Sequence, residues 1–375
     1  MKFYKYSIHV IVIVVFAISC TDFNGPVDRQ VSLDEKIGQM LMVGFRGLSV
    51  NESNQVAQDI RLGRIGGVVL YDRDVALASD IRNIQSPLQL KTLINSLQNR
   101  AKIPLFVAID QEGGRVNRLK ERYGFPATVS QEYLGKLNNP DSTKYYADRI
   151  ANTLRTLGIN INFAPVVDVN INPKSPAIGN IERSFSVDPN VVINHSKVAI
   201  GSYNSLNIFT ALKHFPGHGS AANDSHHGFT DVTSTWQEIE LEPYRELIKK
   251  GYKDFVMTAH IFNSNLDPEY PATLSKKIMT GILRERLGFE GVIISDDMNM
   301  GAIADNYGLE TAVRKSIEAG VDILLFANNL SYDEKIAEKV IAIIKRLISQ
   351  RIINVNRIDE SYDRIMKMKR SMQTI

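Results

Sequence analysis

Eight short apolar runs alternate with helix-like segments along this chain, and that alternation restricts the fold more than any other feature. Strands that are separated by helices pair in parallel, and eight parallel strands can close into a barrel. We therefore predict the α/β class and a (β/α)8 TIM barrel that forms a single domain. The runs cover residues 39–45, 66–71, 104–110, 160–168, 209–215, 255–260, 291–296 and 323–327.

The segments between the runs carry helix start signals. Ser86 precedes a proline at a predicted first helical position, and Thr235 is followed three residues later by Glu238, which is the spacing of a capping box. We expect a last amphipathic helix at residues 356–370. The sequence shows no linker rich in proline, glycine or serine that would separate a second domain, which favours one domain over two.

The first 20 residues are typical of an export signal. Lys2 and Lys5 give a positive start, and residues 8–18 are almost entirely apolar but too few to span a membrane comfortably. Cys20, the only cysteine of the chain, directly follows the sequence Ala-Ile-Ser. This junction resembles the lipobox of bacterial lipoproteins, in which the cysteine is lipidated and becomes the first mature residue.

From this junction we expect an exported protein that is anchored to a membrane of the cell envelope through lipidated Cys20. Cleavage by an ordinary signal peptidase beside an incidental cysteine is the alternative. The formal net charge of +3 falls to about +1 once the two leader lysines are removed, so we expect no nucleic acid partner. The predicted division of the chain is a lipoprotein-type signal peptide at 1–20, a tether at 21–30 and the barrel domain at 31–375.

Polar and charged residues stand at the carboxyl ends of several apolar runs. A strand that is buried on both faces should be apolar throughout, so these residues need another explanation. In a (β/α)8 barrel the carboxyl ends of all strands lie on the face that carries the active site, and we expect the residues to converge there. They are Asp110, Asp168, Lys213 with His214, His260, and Asp296 with Asp297.

Residues 213–229, at the end of the fifth run and in the loop after it, contain four of the chain's seven histidines. His214 and His218 have the spacing of a helical zinc pair, but Pro216 and the neighbouring glycines disfavour a helix, so we expect no metal and no cofactor. The glycines instead predict a mobile loop that brings Asp224 and His226 over a bound substrate. The carboxylate of Asp224 can orient the His226 imidazole and favour its charged form, which would make His226 a proton donor.

Asp296 ends a fully apolar run, so we expect it to be held on rigid scaffold, as a nucleophile requires. A second ionised carboxylate in the same site would raise the pKa of one member of the pair and weaken the nucleophile. We therefore assign Asp297 to capping or to support of the site.

Several of these segments, taken together and in this order, resemble family 3 glycoside hydrolases, specifically the β-N-acetylglucosaminidases of peptidoglycan turnover. The resemblance covers about residues 31–330. Its most specific strings are AIDQEGGRVNRL at 108–119, NFAPVVDV at 162–169, IERSF at 181–185, ALKHFPGHG at 211–219 with DSH at 224–226, and ISDDMNM at 294–300.

The resemblance implies that Asp296 is the nucleophile, that His226 acts first as acid and then as base, and that Asp224 orients His226. It implies a two-step retaining reaction that releases terminal non-reducing β-linked N-acetylglucosamine from muropeptide fragments or chitooligosaccharides. The sugar contacts that it implies are Asp110, Arg118, Arg183, Lys213 and His214.

Two other functions stay open at this point. A β-N-acetylglucosaminide phosphorylase would use the same residues, because a neutral histidine base repels an incoming phosphate less than a carboxylate would. A non-catalytic sugar-binding lipoprotein on a degenerate barrel would tolerate loss of the nucleophile or of the Asp224 and His226 pair, whereas this chain retains all three residues.

Overall fold

Eight parallel strands form a closed barrel in the computed structural model, which describes residues 1–2, 31–225 and 228–372. Each strand pairs with its neighbours in chain order, and the last strand pairs with the first, with Leu324 opposite Leu41. The predicted (β/α)8 class is confirmed. The strands are β1 Leu41–Gly44, β2 Gly67–Leu70, β3 Phe106–Ile109, β4 Ile161–Asn162, β5 Phe209–Phe215, β6 Phe255–Thr258, β7 Val292–Asp297 and β8 Ile323–Phe326.

Helices connect the strands in the alternation that the sequence predicts. A π-helix at Lys277–Arg286 stands between β6 and β7. Short 3₁₀ helices lie at Glu121–Tyr123, Gly179–Ile181, Glu238–Leu241 and Ala272–Leu274. The α-helices are α1 Leu33–Gln39, α2 Gln55–Leu62, α3 Pro87–Gln98, α4 Gln131–Leu137, α5 Pro140–Leu157, α6 Pro189–Ser205, α7 Glu242–Lys249, α8 Gly301–Ala319, α9 Ile336–Ser349 and α10 Val355–Met372.

Local start and stop signals agree with this structure in most places. Ser86 caps α3 by accepting a backbone hydrogen bond at 3.2 Å, and the predicted last helix is present as α10. The capping box predicted at Thr235 is wrong, because Thr235 lies in a turn. The 3₁₀ helix begins later, where the Glu240 side chain accepts a hydrogen bond from the Gln237 backbone at 3.3 Å.

The fourth strand is shorter than the apolar run that predicts it. Only Ile161–Asn162 pair regularly with β3 and β5, and farther along Val166 alone pairs with Lys213. Pro165 has no N–H group to donate to a neighbouring strand, which accounts for part of this interruption. The residues up to Asp168 therefore form an irregular extension of β4.

The amino-terminal end of the barrel is filled by side chains. The rings of Phe106, Phe209 and Phe255 meet edge to face, with centroids 5.4, 6.1 and 6.3 Å apart. The Lys369 ammonium of α10 lies 4.7 Å from the Phe106 ring centre and donates a hydrogen bond to Gly66 O at 2.7 Å. Space for a ligand is therefore found at the opposite, carboxyl end.

Two strands carry an extra residue near their carboxyl ends. The pairing register shifts within residues 212–215 of β5 relative to β6, and within residues 294–297 of β7 relative to β8. A bulge of this kind redirects side chains that otherwise alternate strictly between the two faces of a strand. Lys213, His214 and Asp296 all lie in these two bulges.

Some predictions fall outside the described residues. These are the signal peptide beyond Lys2, the lipidation site Cys20, the tether at 21–30 and the acid/base candidate His226. Within the described part of the chain, no helix combines the length and apolar character needed to cross a membrane. Leu33–Ile375 forms one compact unit, and the proposed domain boundary at residue 31 stays a prediction.

Candidate active site

A cavity of about 440 Å³ opens at the carboxyl ends of the barrel strands. This volume lies in the range of small-molecule sites. Every described residue that the sequence analysis assigns to catalysis or sugar binding lines the cavity. These residues are Asp110, Arg118, Arg183, Lys213, His214, Asp224 and Asp296.

Lys213 lies at the centre of a buried cluster of charges. Its side chain is 1% exposed, and its ammonium contacts Asp110 at 2.8 Å and Glu112 at 2.7 Å. Burial alone would raise the pKa of Asp110, but Lys213 and Arg118 outweigh burial and hold that pKa below its usual value. Asp110 is therefore an ionised hydrogen-bond acceptor in the cavity wall.

Arg183 is fixed by a bidentate ion pair with Glu112. Its Nε and Nη2 donate to the two carboxylate oxygens at 2.9 and 2.7 Å, and its Nη1 donates to Ala177 O at 2.8 Å. Burial would raise the pKa of Glu112, but Arg183 and Lys213 lower it further than burial raises it. Glu112 thus holds both cations in place although it does not line the cavity itself.

The His214 ring lies between a carboxylate and a cation. Its Nδ1 is 2.7 Å from Asp168 Oδ2, and its Nε2 is 3.1 Å from Arg183 Nη2. Burial, followed by the charges of Arg183 and Lys213, lowers the pKa of His214 well below its usual value, so the ring is neutral. A neutral ring that donates from Nδ1 to Asp168 accepts from Arg183 at Nε2, which selects one tautomer.

The contacts of His214 and His218 disfavour a zinc site formed by these two residues, which their spacing in the sequence would allow. Both ring nitrogens of His214 have hydrogen-bond partners, and His218 Nε2 lies 3.1 Å from Ser225 Oγ. Among residues 31–225 and 228–372, no group of three or more His, Cys, Asp or Glu side chains is arranged to hold a metal ion. His214 is thus engaged with protein groups at both ring nitrogens, and His218 at its Nε2.

Asp296 and Asp297 have different surroundings although they are adjacent. Asp296 is partly exposed in the cavity, and its Oδ1 accepts a hydrogen bond from the Asp297 backbone at 2.8 Å. Asp297 borders the same cavity but is 7% exposed, and its Oδ1 accepts backbone hydrogen bonds from Asn299 at 3.0 Å and Ala327 at 2.8 Å. Asp297 thereby joins β7 to the loop after β8, as the predicted support role requires.

Two of the polar residues expected at the strand ends do not line the cavity. Asp168 is fully buried and accepts hydrogen bonds from the backbone N–H groups of His214 and His218. His260 is 1% exposed and contacts Thr273 Oγ1 at 2.8 Å. Both residues hold neighbouring segments in place and do not face a ligand.

The first part of the loop after β5 packs tightly against its surroundings. A Cβ at Gly217 would lie 2.5 Å from Glu240 Cβ, and a Cβ at Gly219 would lie 1.8 Å from Val169 O. Close packing accounts for glycine at both positions, and the φ of +123° at Gly217 favours glycine there as well, whereas the predicted mobility of the loop stays a prediction. Asp224 follows this fixed part and reaches the cavity.

A comparison with protein families identifies the barrel. The model of the Glycosyl hydrolase family 3 N terminal domain matches residues 32–368. The chain belongs to glycosyl hydrolase family 3. The family predicted from the sequence strings is thus confirmed.

Relatives of this family 3 chain carry hexosaminidase names. Beta-hexosaminidase A of Pseudoalteromonas piscicida is 34% identical over 379 residues, which cover 90% of this chain and 61% of that protein. Beta-hexosaminidase of Tolumonas auensis is 34% identical over 294 residues, which cover 77% of this chain and 83% of that protein. The family 3 chain therefore spans less than two thirds of the Pseudoalteromonas protein.

Solved structures resemble the family 3 chain over most of its length. A glycoside hydrolase family 3 β-N-acetylglucosaminidase from Paenibacillus sp. str. FPU-7 has a TM-score of 0.82 at 32% identity, over 91% of this chain and 62% of that chain. A β-N-acetylhexosaminidase from Beutenbergia cavernae has a TM-score of 0.78 at 27% identity, over 91% of this chain and 99% of that chain.

Sequence reasoning missed two contributors to the family 3 site. Glu112 lies two positions after Asp110, within the string AIDQEGGRVNRL at 108–119. The sequence alone gave no role to Glu112. Arg73 lines the cavity and lies three residues after the end of β2. Its polar side chain near the carboxyl end of a strand is the same signal that identified Asp110.

We expect Glu112→Ala to lower the free energy of unfolding by about 3–5 kcal/mol, because it leaves the buried Arg183 and Lys213 without their shared carboxylate. Chemical denaturation of the purified protein measures this change. Glu318→Ala is the matched control, since Glu318 pairs with Arg314 and Lys315 on the surface of α8, where loss of a pair costs about 0–1 kcal/mol. Equal destabilisation by both variants would contradict the assignment.

Proposed function

We propose that this chain is an exo-acting, retaining β-N-acetylglucosaminidase. In the proposed reaction Asp296 attacks the anomeric carbon while His226, oriented by Asp224, protonates the leaving oxygen. His226 then activates the water that releases the sugar from Asp296, which gives net retention. The substrate is a terminal, non-reducing β-linked N-acetylglucosamine of a muropeptide fragment or a chitooligosaccharide.

The observation that carries this proposal is the convergence of Asp296, Asp224 and the sugar-binding candidates on one cavity. Asp296 ends β7 and Asp224 follows β5, so two separate parts of the barrel supply the two carboxylates. Support for an amino-sugar substrate comes from the hexosaminidase names of the relatives and from the β-N-acetylglucosaminidase named in the Paenibacillus structure.

The cavity wall suits a hydroxyl-rich ring that is held in one orientation. Asp110 offers carboxylate oxygens as acceptors, and Arg118 and Lys213 offer N–H donors on either side of it, at 3.5 and 2.8 Å. These groups are already fixed by contacts within the protein, so binding a sugar requires little reordering of the wall. Such a fixed wall can align the anomeric carbon with Asp296.

Cations at the mouth of the cavity favour an acidic leaving group over a neutral one. Arg73 is exposed, and the side chains of Arg115 and Lys120 are 62% and 36% exposed while they pair with Glu182 and Asp72; all three cations line the cavity. The carboxylates of a muropeptide would be attracted by these charges, whereas a chitooligosaccharide is uncharged. Between the two substrate classes we therefore favour muropeptide fragments.

Phosphorolysis is the second candidate function. The same cations of the cavity mouth would attract inorganic phosphate, which is an anion. Phosphate would then replace water in the second step, and the product would be the sugar 1-phosphate instead of the free sugar.

Release of N-acetylglucosamine from a chromogenic β-N-acetylglucosaminide, with and without phosphate, tests the proposal. We expect the free sugar under both conditions, and a fall in kcat of about 10³-fold or more for Asp296→Ala, because that variant lacks the covalent route. Asp305→Ala, an exposed aspartate on the following helix α8, is the control and should retain full activity.

Other results of this assay would indicate a different function or a different nucleophile. A sugar 1-phosphate formed only with phosphate present would assign the phosphorylase instead, and a wild-type protein that binds the sugar without turnover would be a binding protein. Full activity of Asp296→Ala would overturn the assignment of the nucleophile.

A higher kcat/KM for chitobiose than for a disaccharide with an N-acetylmuramic acid leaving group would contradict the preference for muropeptides.

We also propose export and lipid anchoring through Cys20, on the sequence of the leader alone. The full-length chain expressed in a bacterial host should partition into the detergent phase of a detergent-water separation. The Cys20→Ala variant should move to the aqueous phase or remain unprocessed, because it cannot accept the lipid. A wild-type protein found in the aqueous phase with a mature terminus other than Cys20 would instead indicate ordinary signal cleavage.

A further inference from the structure

Glu240 is a fully buried carboxyl group that lies behind the loop after β5 and outside the cavity lining. Its Oε2 accepts a hydrogen bond from the Ser220 backbone N–H at 3.3 Å. The loop backbone at Gly217 packs so closely on the same side chain that no Cβ would fit between them. Glu240 therefore contacts the loop at two points that are three residues apart.

Other contacts hold the same part of the loop from both sides. Trp236, in the segment that carries Glu240, donates from Nε1 to Pro216 O at 3.2 Å. On the opposite side Asp168 accepts the His218 backbone N–H at 2.8 Å. The loop from residue 216 to residue 220 is thus held between the segment 236–240 and the extension of β4.

This fixed part of the loop is connected to the cavity. His218 Nε2 lies 3.1 Å from the hydroxyl of Ser225, the residue next to Asp224, and Ser225 O accepts a backbone hydrogen bond from Ala302 at 3.4 Å. A continuous series of contacts therefore runs from Glu240 through the loop backbone to the neighbour of Asp224.

A carboxyl group is a costly choice for a position that needs packing alone. Burial raises the pKa of Glu240 to about 7, and the nearby Asp168 carboxylate adds to the rise, whereas hydrogen bonds from Ser220 and Gln237 lower it. The largest effects that offset its burial are hydrogen bonds from Ser220 and Gln237. An apolar side chain of similar size would avoid this cost, which points to the hydrogen-bond acceptor as the useful feature.

We propose that Glu240 is a positioning residue that sets the place of Asp224 in the cavity by accepting the Ser220 N–H and packing against Gly217. It acts through the loop and touches neither substrate nor reacting atoms. The inference rests on the proposed glycosidase function. A displaced Asp224 would slow the chemical step, whereas the sugar wall at Asp110 and Lys213 would be unchanged.

Three variants test this role by steady-state kinetics on the chromogenic substrate. Glu240→Met keeps the volume but removes the acceptor, and we expect kcat to fall about 10- to 100-fold while KM changes less than about 3-fold. Glu240→Gln keeps an oxygen acceptor and should stay within about 3-fold of the wild-type kcat. Glu238→Ala, an exposed glutamate of the same 3₁₀ helix, is the matched control and should be unchanged.

Amide hydrogen exchange tests the same claim without relying on turnover. Glu240→Met should raise exchange in peptides from residues 214–225, while Glu240→Gln and Glu238→Ala should match the wild type. An inactive wild-type protein would therefore refute the proposed function and still leave the role of Glu240 measurable.

Several results would overturn the positioning role. These are a wild-type kcat in Glu240→Met, equal losses of kcat in the Met and Gln variants, a rise in KM as large as the fall in kcat, or unchanged exchange of the loop. Glu240→Ala replaces Glu240→Met if the latter does not fold, with the same expected results.

Discussion

The pairing of β8 with β1 closes the sheet, and the position of every candidate site residue depends on that closure. A closed parallel sheet brings the carboxyl ends of all eight strands to one face of the barrel. Asp110 and Lys213 are 103 positions apart in the chain and meet at 2.8 Å for that reason. The opposite end is filled by aromatic rings and by Lys369, and the cavity described above lies where the polar strand ends meet.

Within this frame, a small group of buried charges gives the cavity its shape. Glu112 holds both Arg183 and Lys213, and Arg183 in turn contacts the neutral ring of His214. Each of these charges would be costly to bury alone, and each has an opposite partner that offsets the cost. Contacts within the protein alone therefore fix this wall, and Asp110 presents an ionised carboxylate into the cavity.

The sequence predicts the barrel because its strands are buried on both faces and so appear as continuous apolar runs. It also predicts the site, because polar residues such as Asp110 and Asp296 interrupt those runs where strands end. It does not reveal the bulges in β5 and β7, since an extra residue in a strand leaves no mark in the apolar pattern.

Residues that act at a distance from the cavity are harder to find from sequence. Glu112 and Glu240 stand outside the cavity lining, and their importance follows from partners that only the fold brings near, Arg183 in one case and Ser220 in the other. The capping box predicted at Thr235 fails for a local reason, because Thr235 and Trp236 both donate their backbone N–H groups to Val232 O in a turn.

Covalent trapping tests the central claim most directly, namely that the barrel presents the Asp296 carboxylate to the anomeric carbon of a bound amino sugar. The wild-type protein would be treated with a 5-fluoro N-acetylglucosaminyl fluoride, and its intact mass and labelled peptide would then be determined. We predict one added 5-fluoro-N-acetylglucosaminyl unit on the peptide that contains Asp296, with loss of the anomeric fluoride, and no label in Asp296→Ala. A label on another residue, in a protein that still turns over substrate, would contradict it.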